Sequence, residues 1–297
     1  MQLKNSPVTS FMFNNHLFYV KRDDLLDLQF NGNKARKLAF YLEHDFPHID
    51  TLISYGGDQS NLMYSLSALA KLKNWHFKYY TRKLSALAKA SQNGNLSASL
   101  KNNMKLYEVE KDFKQFCQNL PQKQTANELL ITQGGYGADA EYGLQILAQE
   151  IRNWAQSHAL DKLNIFVASG TGTSAFYLQQ HLPEFKIYTS NCVGSPDYLT
   201  QQFTNLSKSP TDKLPLILTN SRFKFASPEP LLWQTWQQIC FTSSIEFDLV
   251  YDPVGWHILL ENLDQLIGPI LYLHCGGTQG NITMLGRYNY LQQTTKT

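Results

Sequence analysis

One local pattern occurs twice in clear form along this chain and limits what the chain can fold into. A short run rich in β-branched and aromatic residues ends in glycines, and apolar residues at helical spacing follow. Residues 51–55 (TLISY) lead into GGDQSN at 56–61, and residues 163–168 (LNIFVA) lead into SGTGTS at 169–174. Strands that alternate with helices in this way are typical of parallel sheets covered by helices. The sequence therefore predicts an α/β fold.

The same periodicities give the other elements and a domain division. Strands are predicted at 17–20, 51–55, 75–80, 104–109, 128–132, 163–168, 186–191 and 270–273. Helices are predicted after Asn31, after residue 58, at 142–154, from the SGTGTS loop to Leu182, and at 228–240. The length of 297 residues is enough for one large domain or two ordinary ones. We expect residues 47–158 to form a smaller α/β domain inserted into a larger one made of residues 1–46 and 159–297.

Charge and hydrophobicity exclude several classes of function. The chain has 26 Lys and Arg residues against 24 Asp and Glu, so neither nucleic acid nor a membrane surface is an expected partner. No run of about 18 apolar residues occurs, and the first ten residues lack the apolar centre of a signal peptide. The four cysteines lie far apart without a C-x-x-C pair, which predicts neither a zinc site nor a disulfide framework. We expect a cytoplasmic protein whose partner is a small molecule.

Lys34 is the first candidate for chemistry, within the segment NGNKARKLAFYL at 31–42. It follows a glycine closely, in what should be the first turn of a helix whose apolar face carries Leu38, Tyr41 and Leu42. The positive end of the helix dipole disfavours a cation there and should lower the pKa of the Lys34 ammonium. A neutral amine is what Schiff-base chemistry with a carbonyl compound requires. The alternative is a solvated surface lysine, which is the common case.

Two glycine loops follow predicted strands, at the edge where open α/β sheets bind ligands. SGTGTS at 169–174 offers backbone N–H groups, hydroxyls and a helix N-terminus, which suit a phosphate group. It lacks the GK[ST] ending of a nucleotide loop, so a single phosphate fits better than a triphosphate; an ordinary helix-entry turn is the alternative. In GGDQSN at 56–61, Ser60 or Asn61 would serve as a helix N-cap, which leaves Gln59 without a structural role.

A third glycine loop, HCGGT at 274–278, follows the late apolar strand. It could bring backbone close to a ligand. His274 itself is expected to be a buried histidine bonded to backbone.

The order of these motifs resembles that of the pyridoxal-phosphate (PLP) enzymes of the 1-aminocyclopropane-1-carboxylate deaminase and D-cysteine desulfhydrase family. VKRDDL at 20–25 and NGNKARKL at 31–38 are similar to the family's KRDDL and GGNKxRKL segments. TLISYGGDQSN at 51–61 is similar to its TLxTxGGxQSN segment, SGTGTS to its phosphate loop and HCGG at 274–277 to its late H-x-G-G segment. Weaker matches are GNL at 94–96 and QGGYGADAEYG at 133–143. The first two blocks in tandem are the specific part of the resemblance.

The resemblance implies a tryptophan synthase β-like fold (PLP fold type II), with the cofactor pyridoxal 5'-phosphate held between two open, mainly parallel α/β domains. It implies that Lys34 carries the cofactor as a Schiff base and that Lys37 contacts the phosphate. The other phosphate contacts that it implies come from the SGTGTS loop, at Gly170, Thr171, Gly172 and Thr173.

The resemblance also implies roles at the substrate. Asn61 would hydrogen-bond the phenolic oxygen of the cofactor ring, and Ser60 would act on the substrate as base or nucleophile. Gln59, with Ser60 and Asn61, would bind the substrate, a small amino acid, and Gln59 with Asn61 would orient its carboxylate. A homodimer is implied as well.

The chain departs from the family pattern at positions that bear on the chemistry. Leu62 follows QSN where the family usually has His or Gln. The family's DPVY followed by Glu or Thr is here DPV followed by Gly255 and Trp256, and Gln133 stands where an acidic residue is common. These changes remove a tyrosine that assists proton transfer and a contact to the pyridine nitrogen. The residues that could substitute are Tyr251, Cys275 and Thr278.

The function that the sequence favours is that of a PLP-dependent lyase or deaminase that acts on a small amino acid. It would release ammonia and a 2-oxo acid, in the manner of D-cysteine desulfhydrase or of 1-aminocyclopropane-1-carboxylate deaminase. The departures at Leu62 and Gly255 favour the former over ring opening. The alternatives are a PLP-binding family member with little or no turnover and an amino-acid racemase of the same fold. A nucleotide-binding protein is disfavoured because SGTGTS lacks the lysine of a nucleotide loop.

Overall fold

The computed structural model describes residues 3–294. Within them the strands are β1 (Val8–Phe13), β2 (His16–Lys21), β3 (Thr51–Tyr55), β4 (His76–Arg82), β5 (Lys105–Val109), β6 (Glu128–Leu130), β7 (Asn164–Ser169), β8 (Lys186–Asn191), β9 (Leu216–Leu218) and β10 (Ile270–Leu273). They form two sheets. One has six strands in the order β1-β2-β10-β7-β8-β9, and the other has four in the order β5-β4-β3-β6. All pairs are parallel except β1 with β2, so the predicted fold class is confirmed.

Helices connect the strands. They are α1 (Gly32–Glu43), α2 (Asn61–Lys73), α3 (Ala86–Ala90), α4 (Gly94–Lys101), α5 (Phe113–Lys123), α6 (Ala140–Ser157), α7 (Thr173–His181), α8 (Pro196–Leu206), α9 (Pro230–Ser243), α10 (Asp252–Glu261) and α11 (Asn281–Thr294). Short 3-10 turns lie at Asp23–Leu25, Gln133–Gly135, Leu263–Gln265 and Thr278–Gly280. None of the helices described is long and apolar enough to cross a bilayer.

The six-stranded sheet is covered on both faces, as the alternation of its strand residues requires. Ile165 and Val167 belong to the core cluster beneath α6 and α7. Phe166 and Ala168, the alternate residues of the same strand, belong to the cluster that contains Trp256 of α10. Because successive side chains of a strand point to opposite faces, one strand serves two cores. A third cluster surrounds the four-stranded sheet.

Helix α1 lies between these cores, and a buried ion cluster fixes its position. Arg36 is fully buried, and its Nη2 lies 2.8 Å from Asp23 Oδ1 and 2.7 Å from Glu150 Oε2. Lys21 Nζ lies 2.7 Å from the same Glu150 oxygen. The cluster joins β2, α1 and α6, and removing one partner would leave buried charges unpaired. It therefore holds the helix that carries Lys34.

The predicted domain boundaries stay a prediction, although the sheets divide along similar lines. The strands of the four-stranded sheet lie between residues 51 and 130, and those of the six-stranded sheet lie before and after them. Two helices pack across the predicted boundaries. Leu38 and Leu42 of α1 join the core of the four-stranded sheet, and Leu144 and Ile151 of α6 join that of the six-stranded sheet.

Each of the eight predicted strands is present, with bounds that differ from the prediction by at most two residues. Periodicity missed the edge strands β1 and β9 and the helices α3, α4, α5, α8, α10 and α11. The segment of α4 is rich in Ser and Asn, which have low helix propensity. Its buried face, which includes Asn95 and Leu96, packs against α2, so tertiary contacts determine its conformation.

Candidate functional site

Lys34 lies in the first turn of α1, where the sequence places it. Helix α1 starts against the third glycine loop, where the Asn33 N–H donates to the Cys275 carbonyl at 3.1 Å. Gly32, at φ +64°, permits this approach, since a Cβ there would lie 1.9 Å from the same carbonyl oxygen. Lys34 Nζ donates to Asn33 Oδ1 at 2.9 Å. The lysine lines a pocket together with Asn61 and with residues of the loops that follow strands of both sheets.

Burial lowers the pKa of Lys34, and the nearby Asp248 carboxylate opposes that effect. The predicted direction is correct, and desolvation of the ammonium is the leading cause of the shift. Lys34 is half-buried and lines a pocket, so it is not a fully solvated surface lysine. An amine with a lowered pKa is more often neutral, and the neutral form is the one that attacks a carbonyl carbon.

Lys37, one turn further along α1, is also buried, with 4% of its surface exposed. Its Nζ donates to the Gly134 carbonyl at 3.1 Å and to Thr171 Oγ1 at 3.4 Å. Within residues 3–294, Lys37 forms no ion pair with a carboxylate. Burial first, and then the charge of Lys34, hold its pKa well below the ordinary value. Such a cation lacks the counter-charge that buried cations normally have.

The SGTGTS loop ends at the N-terminus of α7, and Gly172 caps the helix at φ +71°. A Cβ on Gly172 would lie 2.5 Å from the Phe203 ring, so only glycine fits there. Thr171 and Thr173 hydroxyl oxygens lie 3.0 Å apart. Within residues 3–294, the hydroxyl of Ser174 is buried without a hydrogen-bond partner. The loop thus offers hydroxyls and first-turn N–H groups beside Lys37 of α1, and together these are the donor set of a phosphate site.

The second glycine loop leads into α2, where Ser60 is the N-cap and accepts from the Met63 N–H at 3.4 Å. Asn61 Oδ1 accepts from Asn95 Nδ2 at 2.7 Å, and the same Asn95 amide donates to the Gln59 carbonyl at 2.9 Å. The side-chain oxygens of Gln59 and Asn95 are buried and find no hydrogen-bond partner in the part of the chain that the structure describes. Asn61 and Asn95 line the pocket with Lys34, whereas Gln59 and Ser60 lie beside it without lining it.

Asp248 is a site residue that sequence reasoning missed. It lies in the turn before α10, with 2% of its surface exposed, and Oδ1 accepts from the Val250 and Tyr251 N–H groups. Its Oδ2 accepts from Asn61 Nδ2 at 3.2 Å, across the boundary between the two sheets. Burial raises the pKa of Asp248. An Asp in a turn is common, so nothing local in the sequence distinguishes this one.

The departures from the family pattern have a structural counterpart. A Cβ on Gly255 would lie 2.9 Å from both Ala168 Cβ and Tyr272 Oη, so α10 packs against β7 there and no larger residue fits. Of the proposed substitutes, Cys275 and Thr278 line the pocket with Lys34. The Tyr251 ring instead lies against Gly170 of the SGTGTS loop.

His274 is buried and bonded to backbone, as predicted. Its Nε2 lies 2.8 Å from the Glu246 carbonyl, and its Nδ1 accepts from the Gly276 N–H at 3.1 Å. Leu62, at 2% exposure, belongs to the core of the four-stranded sheet. The four cysteines are free thiols, and no cluster of metal-binding side chains is present among residues 3–294.

These residues fit pyridoxal phosphate by the chemistry of their donors. Lys37 and the Ser174 hydroxyl, which has no partner among residues 3–294, are donors that an anion at the start of α7 would satisfy. Lys34 supplies a half-buried amine to its pocket, and Asn61 supplies an amide to the same pocket. A phosphate, an aldehyde and a phenolic oxygen would meet these three partners in turn.

Comparisons with known proteins agree on the fold. No model of a known protein family matches the chain, and no curated protein matches it in sequence. Among solved structures, an ACC deaminase homologue matches with a TM-score of 0.79 at 20% identity, over 96% of this chain and 94% of the other. A fungal L-serine ammonia-lyase from Rhizomucor miehei matches with a TM-score of 0.68 at 11% identity, over 97% and 98%.

A pyridoxal 5'-phosphate-dependent aspartate racemase also matches, with a TM-score of 0.61 at 12% identity, over 93% of this chain and 91% of the other. These identities are too low to carry over an activity, but the coverage is nearly complete in both directions. The chain therefore has the fold of these three solved structures, the tryptophan synthase β-like fold with two α/β domains that its motifs predicted.

Proposed function

We propose that this protein is a pyridoxal-phosphate-dependent lyase or deaminase that acts on a small amino acid and releases ammonia and a 2-oxo acid. The observation that carries the proposal is a pair of lysines on α1, of which Lys37 is buried and Lys34 is half-buried. Among residues 3–294, Lys37 reaches the SGTGTS loop without a carboxylate partner, and Lys34 lines a pocket with Asn61. A lysine that is buried without a counter-charge, as Lys37 is, favours an anionic ligand beside it.

The binding roles follow from the contacts. Lys37, Thr171 and Thr173 would hold the phosphate, together with the N–H groups that Gly170 and Gly172 leave accessible. Because the pKa of Lys34 is lowered, its amine is neutral and nucleophilic in a larger fraction of the protein molecules than the amine of an ordinary lysine would be.

When bound, pyridoxal phosphate supplies an aldehyde that condenses with amines and a ring that withdraws electrons from the substrate α-carbon. The remaining work belongs to the chain. Lys34 Nζ and Ser60 Oγ are the groups proposed to move protons at the substrate. Gln59 and Asn61 are proposed to orient its carboxylate, as the motif resemblance implies.

Three further properties are proposed with the activity. The cytoplasm is the proposed location, and the motif resemblance supports a homodimer. Among activities, a β-elimination of the D-cysteine desulfhydrase kind is proposed ahead of ring opening, because the packing at Gly255 leaves no room for the family's tyrosine and Leu62 replaces a polar residue. A racemase is the second candidate, and the match to an aspartate racemase favours it.

A panel of D- and L-amino acids tests the proposal. The PLP-loaded protein is expected to release ammonia and a 2-oxo acid in equal amounts from at least one small member. Interconversion of enantiomers without ammonia would support the racemase instead. PLP binding without either product would leave a binding protein and contradict the lyase assignment.

A further inference from the structure

Asn61 is held from both sides by hydrogen bonds that fix which way its amide points. On one side Nδ2 donates to Asp248 Oδ2, and on the other Oδ1 accepts from Asn95 Nδ2. This row of hydrogen bonds ends in an acceptor on each side. One is the Asp248 carboxylate, and the other is the backbone carbonyl of Gln59, which accepts from the Asn95 amide. Since neither ionised Asp nor a carbonyl can donate, a flip of either amide would oppose two like groups. The orientation of Asn61 is therefore determined.

One side-chain N–H of Asn61 is still available for a hydrogen bond. An amide nitrogen has two N–H groups, and among residues 3–294 only the bond to Asp248 uses one of them. The amide lines the pocket that holds Lys34. The free N–H is a donor for a ligand oxygen in that pocket, such as a phenolate.

The third glycine loop leaves room for this arrangement. A Cβ on Gly277, which has φ +92°, would lie 2.5 Å from Asn61 Nδ2 and 2.7 Å from Asp248 Oδ2. Two further hydrogen bonds fix the turn that carries Asp248. The backbone N–H of Asp248 donates to Asp252 Oδ2 at 3.0 Å. The Leu249 N–H donates to Asn281 Oδ1 at 2.7 Å. Asp248 is thus a fixed acceptor for the Asn61 amide.

We propose that Asp248 is a positioning residue, which orients Asn61 so that its free N–H meets the phenolic oxygen of the bound cofactor. This inference rests on the proposed function and adds to it. Asp248 also lies close enough to Lys34 to favour its protonated form electrostatically. Its principal action is through Asn61, which it contacts directly.

The substitution Asp248→Asn tests the proposal without removing volume. Oδ1 of the new amide would still accept from the Val250 and Tyr251 N–H groups, so the turn keeps its bonds. Its NH2 group would then face the NH2 group of Asn61. Either Asn61 loses its partner or it flips and presents oxygen to the cofactor oxygen. We expect the Kd for PLP to rise about tenfold or more, the equivalent of one charge-assisted hydrogen bond.

Asp252→Asn is the matched control, because it makes the same change four residues later at a site that is also fully buried. Asp252 Oδ2 accepts from the Asp248 N–H at 3.0 Å, and the carbonyl oxygen of the new amide can still accept that bond, so the turn that carries Asp248 stays held. Asp252 Oδ1 accepts from the Tyr272 hydroxyl at 2.6 Å, and that hydroxyl can instead accept from the NH2 group of the new amide. Asp252→Asn is therefore expected to keep the Kd for PLP within about twofold of the wild type.

The measurement is a titration of each purified apoprotein with PLP, followed by visible absorbance at mildly alkaline pH. Circular dichroism and thermal unfolding of each variant establish that it is folded. Equal affinity of Asp248→Asn and wild type would overturn the positioning role while leaving the proposed function intact. Equal losses in Asp248→Asn and Asp252→Asn would assign the effect to the turn and also overturn it. Absence of PLP binding by the wild type would overturn the proposed function and this inference together.

The double substitution Asp248→Asn with Asn61→Asp separates positioning from simple stabilisation. The exchanged pair restores a donor and an acceptor across the sheet boundary, and the carboxylate introduced on α2 can still accept from Asn95. That carboxylate offers no N–H to a ligand. We expect the unfolding temperature to recover while PLP affinity stays low. Recovery of both would show that the bond only stabilises the fold and would contradict the proposal.

Discussion

At the scale of residues, the site combines groups that cost stability with contacts that only a ligand would complete. Lys37 is the clearest example, since burial depresses its pKa and no carboxylate pairs with it in the described chain. The motif block around it was recognisable in the sequence because its residues are contiguous. The partners of Asn61 were not, because Asp248 lies 187 positions away. A hydrogen bond between side chains so distant has no local signature.

Lys37→Met should weaken phosphate binding selectively. The substitution keeps an unbranched side chain of nearly the same length and removes its charge, so the Kd for PLP is expected to rise about tenfold to a hundredfold. Pyridoxal, which has no phosphate, should bind the variant and the wild type equally well. Titrations with both compounds check this, and a parallel loss for pyridoxal would contradict the phosphate contact.

The same variant should be more stable than the wild type in the absence of ligand. A lowered pKa in the folded state means that protonation favours unfolding, so wild-type stability rises with pH up to the ordinary value of 10.5. Lys37→Met removes that cost and is expected to gain about 1 kcal/mol at neutral pH, a gain that shrinks toward pH 10.5. Urea denaturation measures it, with Lys101→Met at an exposed position as control. A less stable variant would show that the cation is satisfied without ligand.

At the scale of elements, the close contact of α1 with α6 places both lysines. A Cβ on Gly143 of α6 would lie 1.9 Å from the Arg36 carbonyl oxygen, so the two helices meet at a glycine. The amphipathic pattern of α6 was visible in the sequence, and its helix is confirmed. The need for glycine at that position was not visible, because it comes from the backbone of another helix.

Gly143→Ala is expected to destabilise the protein although alanine favours helices. The added methyl group forces α1 and α6 apart, at a cost of about 2 to 3 kcal/mol, and should also weaken PLP binding because both lysines move. Gly286→Ala in α11, where a Cβ would meet nothing within 4 Å, is the matched control. It should gain about 0.5 to 1 kcal/mol from helix propensity. Similar effects of the two substitutions would contradict the packing argument.

At the scale of the whole molecule, the site lies where the glycine loops of two mainly parallel sheets converge. These loops could be predicted because each follows an apolar strand, β3, β7 or β10, and contains paired or closely spaced glycines. The sheet order could not, since it depends on which strands pair after the chain crosses over. The antiparallel edge strand β1 could not be predicted either. It pairs with β2 on one side only, because it lies at the edge of the sheet.

The central claim is that this fold holds pyridoxal phosphate on Lys34. The most direct measurement is the visible absorbance of the purified protein with PLP, before and after borohydride reduction, followed by peptide mapping. We predict a yellow protein whose absorbance is lost on reduction, with the label on Lys34 and none retained in Lys34→Ala. A reduced label on another lysine, or a protein that PLP cannot colour, would contradict the account.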